Sequence, residues 1–283
     1  MKAIDVHCHL STQPQYEAWG KFLTAMERYY KFRPATRTEE EMVAELRRAD
    51  VKACIIAWDA EAGTGEPVLP NDYVADLVRR FPDTFLGGWA MVDPWKGRAA
   101  LDEAERALTT LDLLGIKFQA TAQAFFPDDP RFYPLYDLCQ SLGKAVQFHT
   151  GTTGFGAGMP GGMGLKLKYC RPIPHLDDVA ADFPRLTIIA CHPSWPWQDE
   201  MIAVVLHKAN VHMEMSGWSP KYFTEPLKRE IRGRLQDRVM FGSDYPVLGY
   251  ERLFRDWESE GYPAEVLEKV YLKNAKRILG LGG

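Results

Sequence analysis

The chain has 283 residues, 46% hydrophobic and 25% charged, proportions ordinary for a globular protein and unlike those of disordered or fibrous sequences. That length can fill the continuous core of one barrel. A formal net charge of −4 supplies no basic field for a polyanion, so nucleic acid is not an expected partner. The opening residues Met1-Lys2-Ala3-Ile4-Asp5-Val6-His7 carry no apolar stretch of signal-peptide length, and no apolar run reaches the roughly 18 to 20 residues of a membrane helix. A soluble, cytoplasmic protein without a membrane partner is expected. Five scattered cysteines, Cys8, Cys54, Cys139, Cys170 and Cys191, form no CxxC pair and read as reduced thiols.

Along the chain, short β-rich apolar runs alternate with longer amphipathic ones. Strands are expected at Ala3–His9, Lys52–Trp58, Phe85–Val92, Gly115–Gln119, Ala145–Thr150, Leu186–His192, Val211–Gly217 and Val239–Asp244. Helices are expected at Glu39–Ala49, Asn71–Phe81, Arg98–Leu113, Arg131–Leu142, Leu176–Phe183 and Trp197–Lys208. Eight alternations without a change of composition predict an α/β fold, a closed parallel (β/α)8 TIM barrel, as a single domain over residues 1–283. An open doubly wound sheet is the alternative, with Gly151–Gly164 as a dinucleotide loop. Gly154, Gly156 and Gly158 lead into Pro160 and more glycine instead of a helix, which counts against it. Two segments fall outside the alternation, Ser11–Arg37 and Gly151–Ile173, and long loops after barrel strands usually build or cover the active site.

Candidate chemistry gathers at the strand ends. In an extended strand, residues two apart share a face, so His7 and His9 project together while Ile4, Val6 and Cys8 face the helical ring. His149, His192 and Asp244 each close an expected strand and are followed at once by a loop. In a parallel barrel all such ends lie on one rim, where catalytic groups collect. The same parity turns Asp5, Lys117, Gln147 and Glu214 inward, where Lys117 and Glu214 would balance charge beneath the rim. Trp195, Trp197, Trp218, Tyr222 and Phe223 could wall a pocket or simply pack, and Lys166, Lys168 and Arg171 could meet a substrate anion or remain a solvated edge.

These positions resemble the amidohydrolase superfamily: HxH on the first strand, His on the fifth and sixth, Asp on the eighth. The run Arg171–Pro184, the segment Cys191-His192-Pro193-Ser194-Trp195-Pro196-Trp197, the motif Phe241-Gly242-Ser243-Asp244-Tyr245-Pro246 and the closing Asn274-Ala275-Lys276-Arg277-Ile278-Leu279-Gly280 are similar to the branch containing aminocarboxymuconate-semialdehyde decarboxylase and related hydrolases. The resemblance implies that His7, His9, His149 and Asp244 hold one divalent metal, zinc first and manganese second, with His192 and Asp244 as catalytic groups and His192 the acid/base. It also raises a binuclear variant in which Lys117 is a carboxylated bridge. Neutral imidazoles and a carboxylate suit a borderline cation with one coordination position open.

The expected activity is therefore metal-dependent hydrolysis of a small organic acid, ester, lactone or β-keto compound by activated water. Nonoxidative decarboxylation of an aromatic or unsaturated acid is the alternative on the same ligands, and a metabolite-binding barrel without turnover is a distant third. A small-molecule substrate is the expected partner; a homodimer is left open.

Overall fold

The computed structural model describes residues 1–31 and 33–281. Eight strands run β1 Ala3–Cys8, β2 Val51–Ile56, β3 Phe85–Ala90, β4 Gly115–Phe118, β5 Ala145–His149, β6 Ile188–Cys191, β7 Val211–Glu214 and β8 Val239–Met240. They pair in parallel in sequence order. The chain beyond β8 then meets β1: Val6 donates to the Phe241 carbonyl at 3.1 Å, Asp244 to that of His7 at 3.0 Å, and His9 to that of Tyr245 at 3.1 Å. These bonds close the ring, giving the expected (β/α)8 barrel rather than an open sheet.

The six expected helices are present within a few residues, as Glu39–Arg48, Asn71–Arg80, Arg98–Thr109, Tyr133–Leu142, His175–Asp182 and Gln198–His207. The first illustrates local encoding. Thr38 accepts from Glu41 N–H while the Glu41 carboxylate accepts from Thr38 N–H, a capping box, and Met42, Val43 and Leu46 are buried one turn apart. The segment Ser11–Arg37 contains two helices, Gln13–Trp19 and Lys21–Tyr30, broken at Gly20 where φ is 49°. Among the described residues, no helix is long and apolar enough to cross a membrane.

Strand parity holds on most strands and fails on β1. On β5, Gln147 donates to the Val6 carbonyl across the barrel, while Val146 and Phe148 join the large cluster beneath the helices. On β1, however, Ile4 and Val6 belong to a separate inner cluster with Cys54, Ile56, Trp89, Ile189 and Met240, and Cys8 belongs to the outer one. The expectation that Ile4 and Val6 face the helices and Asp5 faces inward is thus reversed. The reason is an irregularity in pairing between Asp5 and Cys8, a bulge that inverts the alternation before His7. Asp5 lies on the outer side, accepting from Tyr250 Oη at 2.8 Å, Ser243 N at 3.0 Å, His7 N at 3.0 Å and Ser243 Oγ. Burial outweighs these bonds and pushes its carboxyl up to about 6.

At the far end of β7 from Glu214, His212 accepts from Arg238 Nε at 3.3 Å through Nδ1. Burial, then Arg238 and Arg277, lowers its pKa to about 3. The unfolded chain, with an imidazole near 6.5, binds more protons than the folded one below that pH. His212 therefore stabilises the fold fully above about 6.5, and the contribution is lost as pH falls towards about 3. A His212→Gln variant is expected to lose less stability than the parent between pH 6.5 and 4, measured by urea unfolding; an identical pH slope for both proteins would refute this assignment.

Candidate functional site

The rim is assembled from strand ends whose backbones turn sharply. His149 is the last residue of β5, but His192 and Asp244 lie beyond β6 and β8, shorter strands than expected. Both take left-handed backbone angles, φ 70° and 60°, as does Ser194 at 61°. Such angles are strained for side-chain-bearing residues and are held here by the surrounding structure. The turn at His192 has a consequence: Cys191 already faces inward, meeting Lys117 Nζ at 2.8 Å, and the positive φ lets the next residue face inward as well.

Three of the four nominated ligands converge. His7 Nε2 lies 3.4 Å from His9 Nε2 and 3.3 Å from Asp244 Oδ1, and His9 Nε2 is 3.5 Å from the same oxygen. His149 is one imidazole removed: its Nδ1 lies 2.9 Å from His192 Nε2, and its Nε2 is 3.0 Å from the Thr152 carbonyl. Since a carbonyl can only accept, Nε2 carries the proton and Nδ1 keeps its lone pair. Glu214 supports the cluster from below. Its Oε1 accepts from His7 Nδ1 at 2.8 Å, and the carboxylate also accepts from Ser216 N at 2.8 Å and Ser216 Oγ at 2.9 Å. Ser216 Oγ in turn lies 2.8 Å from His192 Nδ1. A carboxylate behind a ligating histidine fixes its tautomer and raises its basicity.

The electrostatics suit a cation. Burial pushes His9 down to about 3 and His192 to about 4, and it places His149 well below the ordinary imidazole value, so all three are neutral with lone pairs available. Burial and Lys117 also oppose charge on His7, yet Glu214 and Asp244 prevail and hold it well above its ordinary value. Asp244 is held well below the carboxylate range, against burial, by His7, His192 and His9. The Glu214 carboxyl is lowered to about 2, against burial, chiefly by His7. Two ionised carboxylates thus draw positive charge to a point where histidine nitrogens crowd together, and a buried His9 Nδ1 has no partner among the described residues. The donor set fits a divalent cation that would displace the second proton of His7.

Above the cluster opens a cavity of about 350 Å³. Of the five aromatic residues left open between wall and packing, Trp195, Trp218 and Tyr222 line it; Trp197 and Phe223 do not, and Phe223 packs against Trp257 instead. Lys166, Lys168 and Arg171 also lie outside it, with Arg171 paired to Glu200 at 2.6 Å and Lys168 over the Phe126 ring at 4.8 Å. The two long loops supply walls that sequence reasoning did not single out: Trp19 and Tyr30 from the first, Thr152, Gly154 and Phe155 from the second. Trp58, closing the second expected strand, stacks on Phe155 with ring centroids 4.9 Å apart. Lys117 reaches the cavity floor, but its hydrogen bond goes to Cys191, and Glu214 is engaged with His7.

A parallel barrel with imidazoles and a carboxylate converging on its C-terminal rim defines a barrel enzyme of the metal-dependent kind. The chain belongs to the amidohydrolase family, whose model, described as Amidohydrolase, matches residues 4–281. It is 30% identical over 80 residues to 2-amino-3-carboxymuconate-6-semialdehyde decarboxylase of Dictyostelium discoideum, an alignment spanning 28% of this chain and 22% of that relative. An uncharacterized TIM-barrel protein from Bordetella bronchiseptica superposes with a TM-score of 0.80 at 22% identity, covering 99% of each chain. A 5-carboxyvanillate decarboxylase from Novosphingobium aromaticivorans, solved with manganese and 4-hydroxy-3-methoxy-5-nitrobenzoic acid, superposes with a TM-score of 0.70 at 18% identity, covering 99% of this chain and 96% of its own. At these identities the two structures speak to the fold.

Proposed function

We propose that the protein is a metal-dependent nonoxidative decarboxylase of an aromatic or unsaturated acid. The sequence alone favoured hydrolysis; the order reverses here because the decarboxylases named above accompany a cavity walled by Trp19, Trp58, Phe155, Trp195 and Trp218 directly over the histidine cluster. That aromatic enclosure is the observation that carries the reading. It buries a planar unsaturated ring against apolar faces and excludes water from the reacting carbon.

His7, His9, His149 and Asp244 would hold one divalent cation, zinc or manganese. Bound there, it supplies Lewis-acid stabilisation of charge on a substrate oxygen. The remaining work belongs to side chains. As the carboxylate leaves as carbon dioxide, the carbon that bore it takes a proton; Nδ1 of His192 keeps its own proton on the Ser216 carbonyl at 3.1 Å, so Nε2 would take a proton from water and pass it to that carbon. The Ser216 hydroxyl at 2.8 Å from His192 Nδ1, with Glu214 behind it at 2.9 Å, stabilises the imidazolium when it is charged. Glu214 holds His7 and polarises Ser216 at once, so one carboxylate orients both the metal face and the proton-transfer face of the site.

Hydrolysis of an ester or lactone is the second reading, favoured by the description of the matched family. The two differ in mass balance. With manganese- or zinc-loaded protein and a panel of hydroxybenzoates, unsaturated acids and lactones in ¹⁸O-water, decarboxylation is expected to release carbon dioxide with no ¹⁸O in the organic product. Incorporation of ¹⁸O without carbon dioxide would overturn the proposal in favour of hydrolysis.

A further inference from the structure

His192 owes its inward aim to one peptide group, that between Cys191 and His192, because its left-handed φ of 70° turns about the nitrogen of that group. Both ends of the peptide are gripped. Its N–H donates to Glu214 Oε1 at 3.3 Å from the β7 side, and its carbonyl accepts from Thr150 Oγ1 at 2.7 Å from the β5 side. The Thr150 hydroxyl is buried and has one proton, which goes to that carbonyl; towards Ser194 Oγ it therefore accepts. Ser194 is the second left-handed residue of the same turn, at φ 61°. One hydroxyl thus holds the carbonyl before one strained residue and the side chain of the other. The close approach this needs is built into the next residue. Gly151 has φ 80°, and a Cβ there would lie 2.6 Å from the Trp195 carbonyl oxygen and 2.7 Å from the Ser194 carbonyl carbon. Thr152 N donates to the Trp195 carbonyl at 2.8 Å, while the Thr152 carbonyl accepts from His149 Nε2 at 3.0 Å.

We propose that Thr150 is a positioning residue for the proton carrier: its hydroxyl holds the Cys191–His192 peptide in the orientation that aims His192 at His149. The inference rests on the assignment of His192 to proton transfer in the decarboxylase reading, and it adds what sets the aim. Thr150 directly follows His149, so metal ligand and proton carrier are aligned from the same end of β5. A left-handed residue with a side chain persists only where its surroundings over-determine it. Glu214 fixes only the N–H end of the peptide. Without the hydroxyl, the Cys191 carbonyl and Ser194 Oγ each lose a partner in a buried place, so the carbonyl end tilts and carries the imidazole with it.

The test reads the ring itself and needs no substrate. In zinc-loaded protein labelled with ¹⁵N-histidine, the His192 signals are identified by their absence from His192→Ala. They are expected to show one neutral tautomer, with the proton on Nδ1, which faces the Ser216 carbonyl at 3.1 Å. In Thr150→Val, which keeps the shape and removes the hydroxyl, they are expected to move to an average of the two tautomers; in Thr150→Ser they return to the parent position. His175, beside Asp128, and His212, beside Arg238, are expected to stay in place and report an intact fold. Where Thr150→Val does not fold, Thr150→Cys, with its weaker donor, carries the same test. His192 signals identical to the parent in whichever of these variants folds would overturn the proposal. Turnover gives a second reading, taken with the panel acid that releases carbon dioxide. There kcat of Thr150→Val is expected to fall by roughly 10–10²-fold with KM kept, since Thr150 lies outside the cavity lining, and the same change made in His192→Ala is expected to cost nothing more. An equal loss in both backgrounds would show that Thr150 does not act through His192. Failure of the decarboxylase reading registers separately, as absence of carbon dioxide release in the isotope experiment, and leaves the ring signals to decide the role of Thr150.

Discussion

A His7→Ala or Asp244→Ala variant is expected to lose its divalent cation, with affinity falling by more than the roughly 10–100-fold that accompanies loss of a residue behind a metal ligand. The expectation follows from the shared contact point: His7 Nε2, His9 Nε2 and Asp244 Oδ1 lie within 3.5 Å of one another, so deleting either partner removes a donor and exposes the rest to water. Folding should survive in both variants. Without His7, the buried Glu214 carboxylate still accepts from Ser216 N, Ser216 Oγ and His192 N. Without Asp244, His7 keeps Glu214. Glu214→Gln is expected to fall within the 10–100-fold range, since it removes support and no ligand. Metal content after dialysis and competitive titration with a chelator provide the measurement. Unchanged affinity in His7→Ala and Asp244→Ala would show that the cation, if bound at all, sits elsewhere.

Turnover in His192→Ala is expected to fall by about 10²–10⁴-fold, the scale of general acid–base catalysis, while the metal stays bound. His192 lies beside His7 and Glu214, with its Nε2 facing His149 at 2.9 Å and its Nδ1 committed to Ser216, and a ring held through one nitrogen can carry a proton on the other. Lys117 separates this reading from a binuclear site. Its amine donates to Cys191 Sγ at 2.8 Å, whereas a carboxylated bridge would present oxygens to the histidines. Near-unit metal stoichiometry is therefore expected in wild type, His192→Ala and Lys117→Met alike. Two metals per chain, falling to one on removal of His192, would make His192 a ligand and reverse its assigned role.

Much of this was legible in the sequence for a definite reason. Inward and outward faces follow from the period of two wherever a strand runs unbroken, as on β4 and β5, where Lys117, Gln147 and His149 all point as parity requires. The alternation of strand and helix patterns likewise sufficed for a parallel α/β sheet, and eight repeats of it favoured a closed barrel over the open doubly wound alternative. His7 lies within the irregular part of β1 and His9 just past its end, and the two side chains still meet, Nε2 to Nε2, at 3.4 Å as their spacing led one to expect.

Tertiary structure decided what local periodicity cannot carry. The irregularity in β1 inverts Ile4, Asp5 and Val6, and it lies in the pairing of that strand with β2, a partner some fifty residues on that local periodicity does not see. The inward aim of His192 depends on a left-handed backbone that a non-glycine residue adopts only when its surroundings impose it. Residues far apart in the chain and without a shared pattern, Trp19, Phe155 and Arg252 among them, became walls of one cavity only when the ring closed and carried their loops over the same rim. Ligand-type residues at strand ends could therefore be named from spacing, whereas their partners depended on contacts between different strands, from His192 with Ser216, a separation of 24, to His7 with Glu214, a separation of 207.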